Sequence, residues 1–293
     1  MNKKVTVRDV AREAGVSVAT VSYIMNNRQD VKISEQTRKK VLQIANLLDY
    51  SPSSAAKSLA TGRNNIIGVS YRLSDHSPSR NLEVTGFVNL LIEQLNRLKY
   101  NVLYMPIKSS EDNIPINRNI DGIIAIDLST SDFRELADSY MVPIIAVDML
   151  VNDDLFYQVC SNIPTAIERA FAKYPNAVLV TERFSNEAYM DFITANVPSS
   201  KLQVLTHTDV DALKQLSGRQ VIAIGSYLAL MLRPYVAEDS LAVIASQNYV
   251  HLLPSSTDII EVDITQKANM SINLLLNALD RKFEVNHKHI LDI

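Results

Sequence analysis

The chain has 293 residues, of which 47% are hydrophobic and 21% charged, and its net charge is −3. This length predicts two domains or one domain with an appendage, and the composition excludes a disordered chain. The single cysteine, Cys160, excludes a disulfide framework, and the seven scattered glycines form neither G-x-G-x-x-G nor a P-loop. No nucleophile, metal or cofactor motif is present, so we expect no enzyme activity and no cofactor.

The charge is distributed unevenly along the chain. Residues 1–63 carry eleven Lys and Arg against five Asp and Glu, a net of +6, and the remainder has a net of −9. A basic head on an acidic body indicates that the head meets a polyanion, although a solvated basic face explains the charge equally well. The N-terminus has no signal-peptide pattern, and the longest apolar stretch, 221–232, is too short to cross a bilayer. We therefore expect a cytoplasmic chain without membrane contact.

The first 50 residues predict three short helices. A capping-box pattern at Thr6 precedes an apolar face with helical spacing, and Gly15 ends that helix. Ser17 caps a second helix and Ser34 caps a third. Two helices joined by a tight glycine turn form a helix-turn-helix, whose second helix can enter the major groove of DNA.

These residues resemble the DNA-binding head of the lactose repressor (LacI/GalR) family of bacterial transcription regulators. The resemblance is carried by TVRDVAREAGVSVATVSYIMNN and KISEQTRKKVLQIANLLDYSPSSAAKSLATG. It implies that phosphate contacts, or orientation of the recognition helix, come from Thr6, Ser17, Thr20, Ser22, Asn26 and Thr37. Ser34, the cap of the third helix, is a further candidate DNA contact. It also implies that Val18, Ala19 and Tyr23 face the base edges. Val18 and Ala19 offer only apolar contact, so we expect weaker or shifted base recognition than in the better-known members.

The segment after Pro52 resembles the hinge helix of the family, which folds on operator DNA when two protomers pair. Ser53 begins the segment, the small Ala56 allows close approach, and Leu59 matches the side chain that wedges between base steps in the minor groove. An ordinary linker helix is the alternative interpretation.

From Ile66 onward, short apolar runs alternate with amphipathic helices, which predicts parallel sheets with crossover helices. Two rounds of this alternation predict two lobes. The fold class is therefore a small all-α helix-turn-helix head and an α/β body of two parallel-sheet lobes, similar to periplasmic binding proteins. The predicted domains are the head at 1–50, the hinge and linker at 51–63, and the body at 64–293. Within the body we expect a first lobe of about 64–160 plus about 264–286, and a second lobe of about 161–263 plus the C-terminal strand.

The body also resembles the effector domain of the family, through INRNIDGIIAID, VPIIAVDM and SNIPTAIERAFAKYPNAVLV. The resemblance places Asp148 where a carboxylate can bind ligand hydroxyls, although a solvated or helix-capping role explains it equally well. Gln247 stands in a position where the family carries acidic residues, and we expect Tyr71, Arg72 and Tyr227 near the mouth of the cleft. The segment 106–118 is too short for the helix that the family has there.

The sequence thus predicts a transcription regulator that acts as a repressor and binds a near-palindromic operator as a homodimer. A small-molecule effector, sugar-like or other, is compatible with the body. The alternatives are a cytosolic small-molecule binder with a vestigial head and a regulator that works without an effector.

Overall fold

The computed structural model describes residues 5–26, 28, 30–50, 62–107 and 119–293. The chain divides into two compact units, Met1–Asn64 and Asn65–Ile293. The predicted hinge residues Ser53, Ala56 and Leu59, and most of the segment 106–118, lie outside the described residues.

The N-terminal unit contains three helices, α1 (Val7–Ala14), α2 (Val18–Met25) and α3 (Glu35–Leu47). Gly15 ends α1 with a positive φ of 67°, the left-handed conformation that glycine adopts without strain. The three helices share a small apolar core of Val10, Ala11, Ala14, Val21, Ile24, Val41 and Ala45. This core fixes the angle between α1 and α2 and leaves the opposite side of α2 exposed.

The second unit contains two parallel sheets, as the alternating pattern predicts. Its first half comprises β1 (Ile66–Tyr71), α4 (Pro78–Arg97), β2 (Asn101–Tyr104), β3 (Gly122–Ile126), α5 (Thr130–Ser139), β4 (Ile144–Val147) and β5 (Tyr157–Ser161). Its second half comprises α6 (Ile163–Lys173), β6 (Val178–Glu182), α7 (Glu187–Thr194), β7 (Leu202–Leu205), α8 (Val210–Lys214), β8 (Val221–Ile224), α9 (Ser226–Leu232), β9 (Leu241–Ser246), β10 (Asp258–Val262), α10 (Ile264–Leu279) and β11 (Lys288–Leu291).

The first lobe contains a six-stranded sheet in the order β11-β5-β4-β3-β1-β2, and the second a five-stranded sheet in the order β10-β9-β8-β6-β7. One apolar core continues through both lobes, because it includes Ile67 and Ile124 of the first sheet and Leu179, Ile222 and Ile244 of the second. Apolar packing therefore continues from the first sheet to the second.

The assignment of the C-terminal strand to the second lobe is wrong. β11 pairs with β5 in the first sheet, with Lys288 beside Gln158 and Leu291 beside Ser161. The cause is α10, which packs on β3, β4 and β5 and returns the chain to the first lobe. Strands β5 and β10 were not predicted from the sequence, because each interrupts a short apolar run with polar residues.

Candidate nucleic-acid interface and interlobe cleft

The N-termini of α2 and α3 are capped in the same way. Ser17 Oγ accepts the backbone N–H of Thr20 at 3.0 Å, and the two hydroxyls lie 2.9 Å apart. Ser34 Oγ accepts the N–H of Thr37 at 3.1 Å, with the hydroxyls 2.8 Å apart. Each helix therefore begins with a pair of hydroxyl groups at its positive end, an arrangement suited to a phosphate.

The capping box predicted at Thr6 is present in the structure. Its hydroxyl donates to Asp9 Oδ2 at 2.7 Å, and its backbone N–H donates to the same oxygen at 3.0 Å. The carboxylate of Asp9 also pairs with Arg12 at 3.2 Å. Thr6 is thus held at the start of α1 by the acidic residue in the first turn of the helix.

The exposed side of α2 carries the residues predicted to face bases. Val18 is 42% exposed, Ala19 is exposed, and Tyr23 is half-buried. The guanidinium of Arg28 lies 5.4 Å from the centre of the Tyr23 ring and pairs with Asp30. Arg28, which lies beside this tyrosine, was not predicted as part of the surface.

The C-terminal end of α2 is held by a side chain that the resemblance also singled out. Asn26 Nδ2 donates to the backbone oxygen of Ser22 at 2.9 Å and lies 3.4 Å from its hydroxyl. Asn26 is therefore fixed at the helix end while remaining exposed.

In the second unit, a charged side chain of the first lobe fills the space between the lobes. Arg80, in the first turn of α4, donates from Nη2 to Asp127 Oδ2 at 2.8 Å. Its guanidinium carbon lies 3.8 Å from the centre of the Phe184 ring. The other oxygen of Asp127 accepts the backbone N–H groups of Ser185 at 2.8 Å and Asn186 at 3.2 Å. Burial raises the pKa of Asp127, and the Arg80 guanidinium opposes that rise.

A second buried ion pair lies beside the first. Lys267 Nζ of α10 donates to both oxygens of Asp148, at 2.9 and 2.8 Å, and lies 5.0 Å from the centre of the Phe87 ring. The two side chains are 7% and 11% exposed. The carboxylate that the resemblance assigned to a ligand is therefore already neutralised by a residue of the same lobe.

Helix N-termini and carboxylates complete the contact between the lobes. Glu182, at the end of β6, accepts the backbone N–H of Arg80 at 2.7 Å and the Thr208 hydroxyl at 2.7 Å. Ser79 Oγ accepts the N–H of Leu228 at 3.1 Å. Glu83 of α4 hydrogen-bonds to Ser246 at the end of β9. α4 is consequently bound to three separate strand or helix ends of the second lobe.

The cavity that remains between the lobes has a volume of about 50 Å³ and is lined by Arg80, Glu83, Asp148, Gly225, Ser246 and Lys267 among others. Since about 10–15 Å³ of such space is enough for one water molecule, the cavity holds a few waters. Pockets for small-molecule ligands are typically about 300–1,000 Å³. The cleft is therefore closed on its own side chains.

Of the five predicted effector residues, only Asp148 lines this cavity. Tyr71 and Arg72 border a separate surface depression with Tyr104, whose ring centre lies 5.0 Å from that of Tyr71. Tyr227 is 40% exposed on α9, and Gln247 donates to the Thr265 hydroxyl at 2.7 Å. Sequence reasoning missed Arg80, Asp127 and Lys267, because their pairing is visible only in the folded chain.

Within the described parts of the chain, no group of three or more His, Cys, Asp or Glu is arranged to hold a metal ion. No helix among the described residues is long and apolar enough to span a membrane. The described residues thus form a helix-turn-helix unit and a two-lobed unit of parallel sheets.

Comparison with known proteins shows what the chain is similar to. Residues 6–53 match the model of "Bacterial regulatory proteins, lacI family". Catabolite control protein A of Streptococcus mutans is 51% identical over 65 residues, which cover 22% of this chain and 19% of that protein. Catabolite control protein A of Staphylococcus epidermidis is 30% identical over 181 residues, which cover 57% of this chain and 50% of that protein. The chain thus spans half or less of the length of these relatives.

The similarity to known structures extends beyond the N-terminal unit to the whole chain. The crystal structure of the lac repressor dimer bound to operator and the anti-inducer ONPF aligns with a TM-score of 0.66 and 18% identity, covering 99% of this chain and 97% of that one. The N-terminal residues 6–53 of this chain are thus similar to the lacI family, and the fold of the whole chain is similar to that of the lac repressor.

Proposed function

We propose that the protein is a DNA-binding transcription regulator that represses by occupying a near-palindromic operator as a homodimer in the bacterial cytoplasm. The observation that carries the proposal is the exposed surface of α2. This helix presents Val18, Ala19 and Tyr23 to solvent and begins at a hydroxyl-bearing cap. A helix held in this way by its own core can enter the major groove without rearrangement.

The chemistry of that surface defines what it recognises. Val18 and Ala19 can contact a thymine methyl group but accept or donate no hydrogen bond, whereas the Tyr23 hydroxyl can do both. The caps at Ser17 and Ser34, with the net charge of +6 over residues 1–63, supply the phosphate contacts. Recognition therefore rests on a few base contacts and a strong electrostatic attraction to the backbone.

Dimeric binding and the hinge contact remain part of the proposal. A homodimer places two copies of α2 on two half-sites, so the operator has two-fold symmetry. Leu59, with Ser53 and Ala56 around it, would wedge into the minor groove at the centre of such a site.

A second candidate function is favoured by one observation. The cavity of about 50 Å³ between the lobes supports a regulator that operates without a sugar effector. The other alternative, a small-molecule binder with an unused head, is disfavoured because the recognition helix, its caps and its core are all intact.

Selection of random double-stranded DNA by the purified full-length protein tests the proposal. We expect enriched sites with a dyad, and affinity that falls roughly 10³–10⁵-fold between about 50 and 200 mM salt if 6–10 phosphates are contacted. A matched control is the Arg97→Ala variant, since Arg97 is exposed on α4 in the second unit and pairs only with Glu93 across one helical turn. Selected sites without a dyad, or a flat salt response, would refute the proposal.

A further inference from the structure

The space between the lobes contains a site with a carboxylate and an aromatic ring for a guanidinium group, and the side chain of Arg80 occupies it. One wall is the carboxylate of Asp127, at the end of β3 in the first lobe. The opposite wall is the ring of Phe184, which follows β6 in the second lobe. The guanidinium of Arg80 lies between them, paired with the carboxylate at 2.8 Å and stacked on the ring at 3.8 Å.

The second lobe also holds the carboxylate in place. Asp127 Oδ1 accepts two backbone N–H groups from Ser185 and Asn186, so both oxygens are engaged. Asn186 is fully buried, and its side-chain nitrogen donates to the backbone oxygen of Leu128 at 3.2 Å. A guanidinium in this position therefore connects the first lobe to the second through one carboxylate and one ring.

Hydrogen bonds of the backbone around Arg80 also connect the start of α4 to the second lobe. Glu182 accepts the N–H of Arg80 at 2.7 Å, and Ser79 accepts the N–H of Leu228 at 3.1 Å. Gly225, with a φ of 109°, allows this approach, because a Cβ at that position would lie 2.3 Å from the Ser79 hydroxyl. A larger residue at 225 would be strained at this φ and would displace the Ser79 hydroxyl, which accepts the Leu228 N–H.

The geometry is specific for a planar cation. A guanidinium can lay its planar face on an aromatic ring while its edge hydrogen-bonds to a carboxylate, and the 3.8 Å contact of Arg80 with Phe184 is closer than the 5.0 Å that separates the Lys267 ammonium from the centre of the Phe87 ring. With Arg80 in place, the remaining cavity of about 50 Å³ is too small for a second ligand.

We propose that Arg80 is an internal ligand: its guanidinium occupies a socket formed by Asp127 and Phe184 and keeps the two lobes closed without an effector. This proposal goes beyond operator binding. The socket has one ligand class, a compact guanidinium compound, which can enter only when Arg80 is removed or displaced.

Chemical rescue of the full-length Arg80→Ala variant tests the proposal. Removing one partner of a buried ion pair should lower Tm on the order of 10 °C. Added ethylguanidinium at tens of millimolar should raise the Tm of the variant by several degrees, while ethylammonium at equal concentration should not. Small-angle scattering should show a larger radius of gyration for the variant, which decreases when ethylguanidinium is added.

Two further variants serve as a control and as a substitute for Arg80→Ala. Arg72→Ala removes an exposed arginine of the same lobe and should show neither the Tm loss nor the rescue. Arg80→Met retains the stem of the side chain and replaces Arg80→Ala if that variant does not fold. A wild-type Tm and scattering profile in the Arg80 variants, or rescue by ethylammonium equal to that by ethylguanidinium, would overturn the proposal. Operator selection is a separate experiment. Failure of the rescue therefore does not affect the DNA-binding proposal, and failure of operator selection does not affect the proposal for Arg80.

Discussion

Lys267 Nζ lies 2.9 and 2.8 Å from the two oxygens of Asp148, and both side chains are buried. The carboxylate that most resembles an effector ligand in sequence is thus engaged within the protein. An effector that used Asp148 would have to displace an ammonium group that makes two charge-assisted hydrogen bonds.

Substitutions of Lys267 and Asp148 should have strongly non-additive effects on the free energy of unfolding. Lys267→Met leaves the Asp148 carboxylate buried and unpaired, so we expect a loss of about 3–5 kcal/mol in the free energy of unfolding. Adding Asp148→Asn should recover part of the loss, because the double variant no longer buries a lone charge. Urea unfolding of the two single variants and the double variant measures the coupling. Additive losses would show that the two groups do not act as a pair.

Free monosaccharides and disaccharides should not bind with dissociation constants below about 1 mM. The cavity of about 50 Å³ has no room for a sugar ring, and opening it breaks the Arg80 and Lys267 pairs. Breaking the three charge-assisted hydrogen bonds of these two pairs, at about 1.5–3 kcal/mol each, would weaken a micromolar sugar site beyond millimolar affinity. Calorimetry against a sugar panel is the measurement. Low-micromolar binding that Asp148→Ala abolishes would contradict this expectation.

The thiol of Cys160 should not react with thiol reagents in the folded protein. Burial raises the pKa of this thiol to about 12, so at pH 8 almost no thiolate is present. We expect no reaction with Ellman's reagent at pH 8 until denaturant is added. The unfolded thiol ionises near pH 9.0, so this group also lowers stability as the pH rises from there toward 12. Rapid labelling of the native protein would show that β5 opens readily.

Leu59→Ala should weaken operator binding by a few kcal/mol at most, through loss of the proposed wedge, and should leave the fold intact. The bend angle of the bound DNA, measured by fluorescence transfer between labelled ends, should decrease in parallel. Ala56→Gly serves as the companion variant and should cost about 1 kcal/mol per hinge through helix propensity. An unchanged bend and affinity in the Leu59 variant would remove the minor-groove role.

Local features of the fold were accessible from sequence, and contacts between distant residues were not. Ser17 and Ser34 could be identified as caps, because capping depends on residues within one helical turn. The Arg80–Asp127 and Lys267–Asp148 pairs join residues 47 and 119 positions apart, and no spacing rule encodes them. β11 was assigned to the wrong lobe for the same reason, since its sheet depends on where α10 packs.

The most direct test of DNA recognition by α2 is the affinity of Tyr23 variants for a selected operator and for a scrambled duplex at one salt concentration. Tyr23→Ala should lower operator affinity roughly 5–150-fold, equivalent to about 1–3 kcal/mol, and should leave affinity for the scrambled duplex nearly unchanged. Tyr23→Phe, which keeps the ring beside Arg28, separates the contribution of the hydroxyl. An equal loss on both duplexes, or no loss on either, would contradict the assignment of α2 as the helix that recognises the operator.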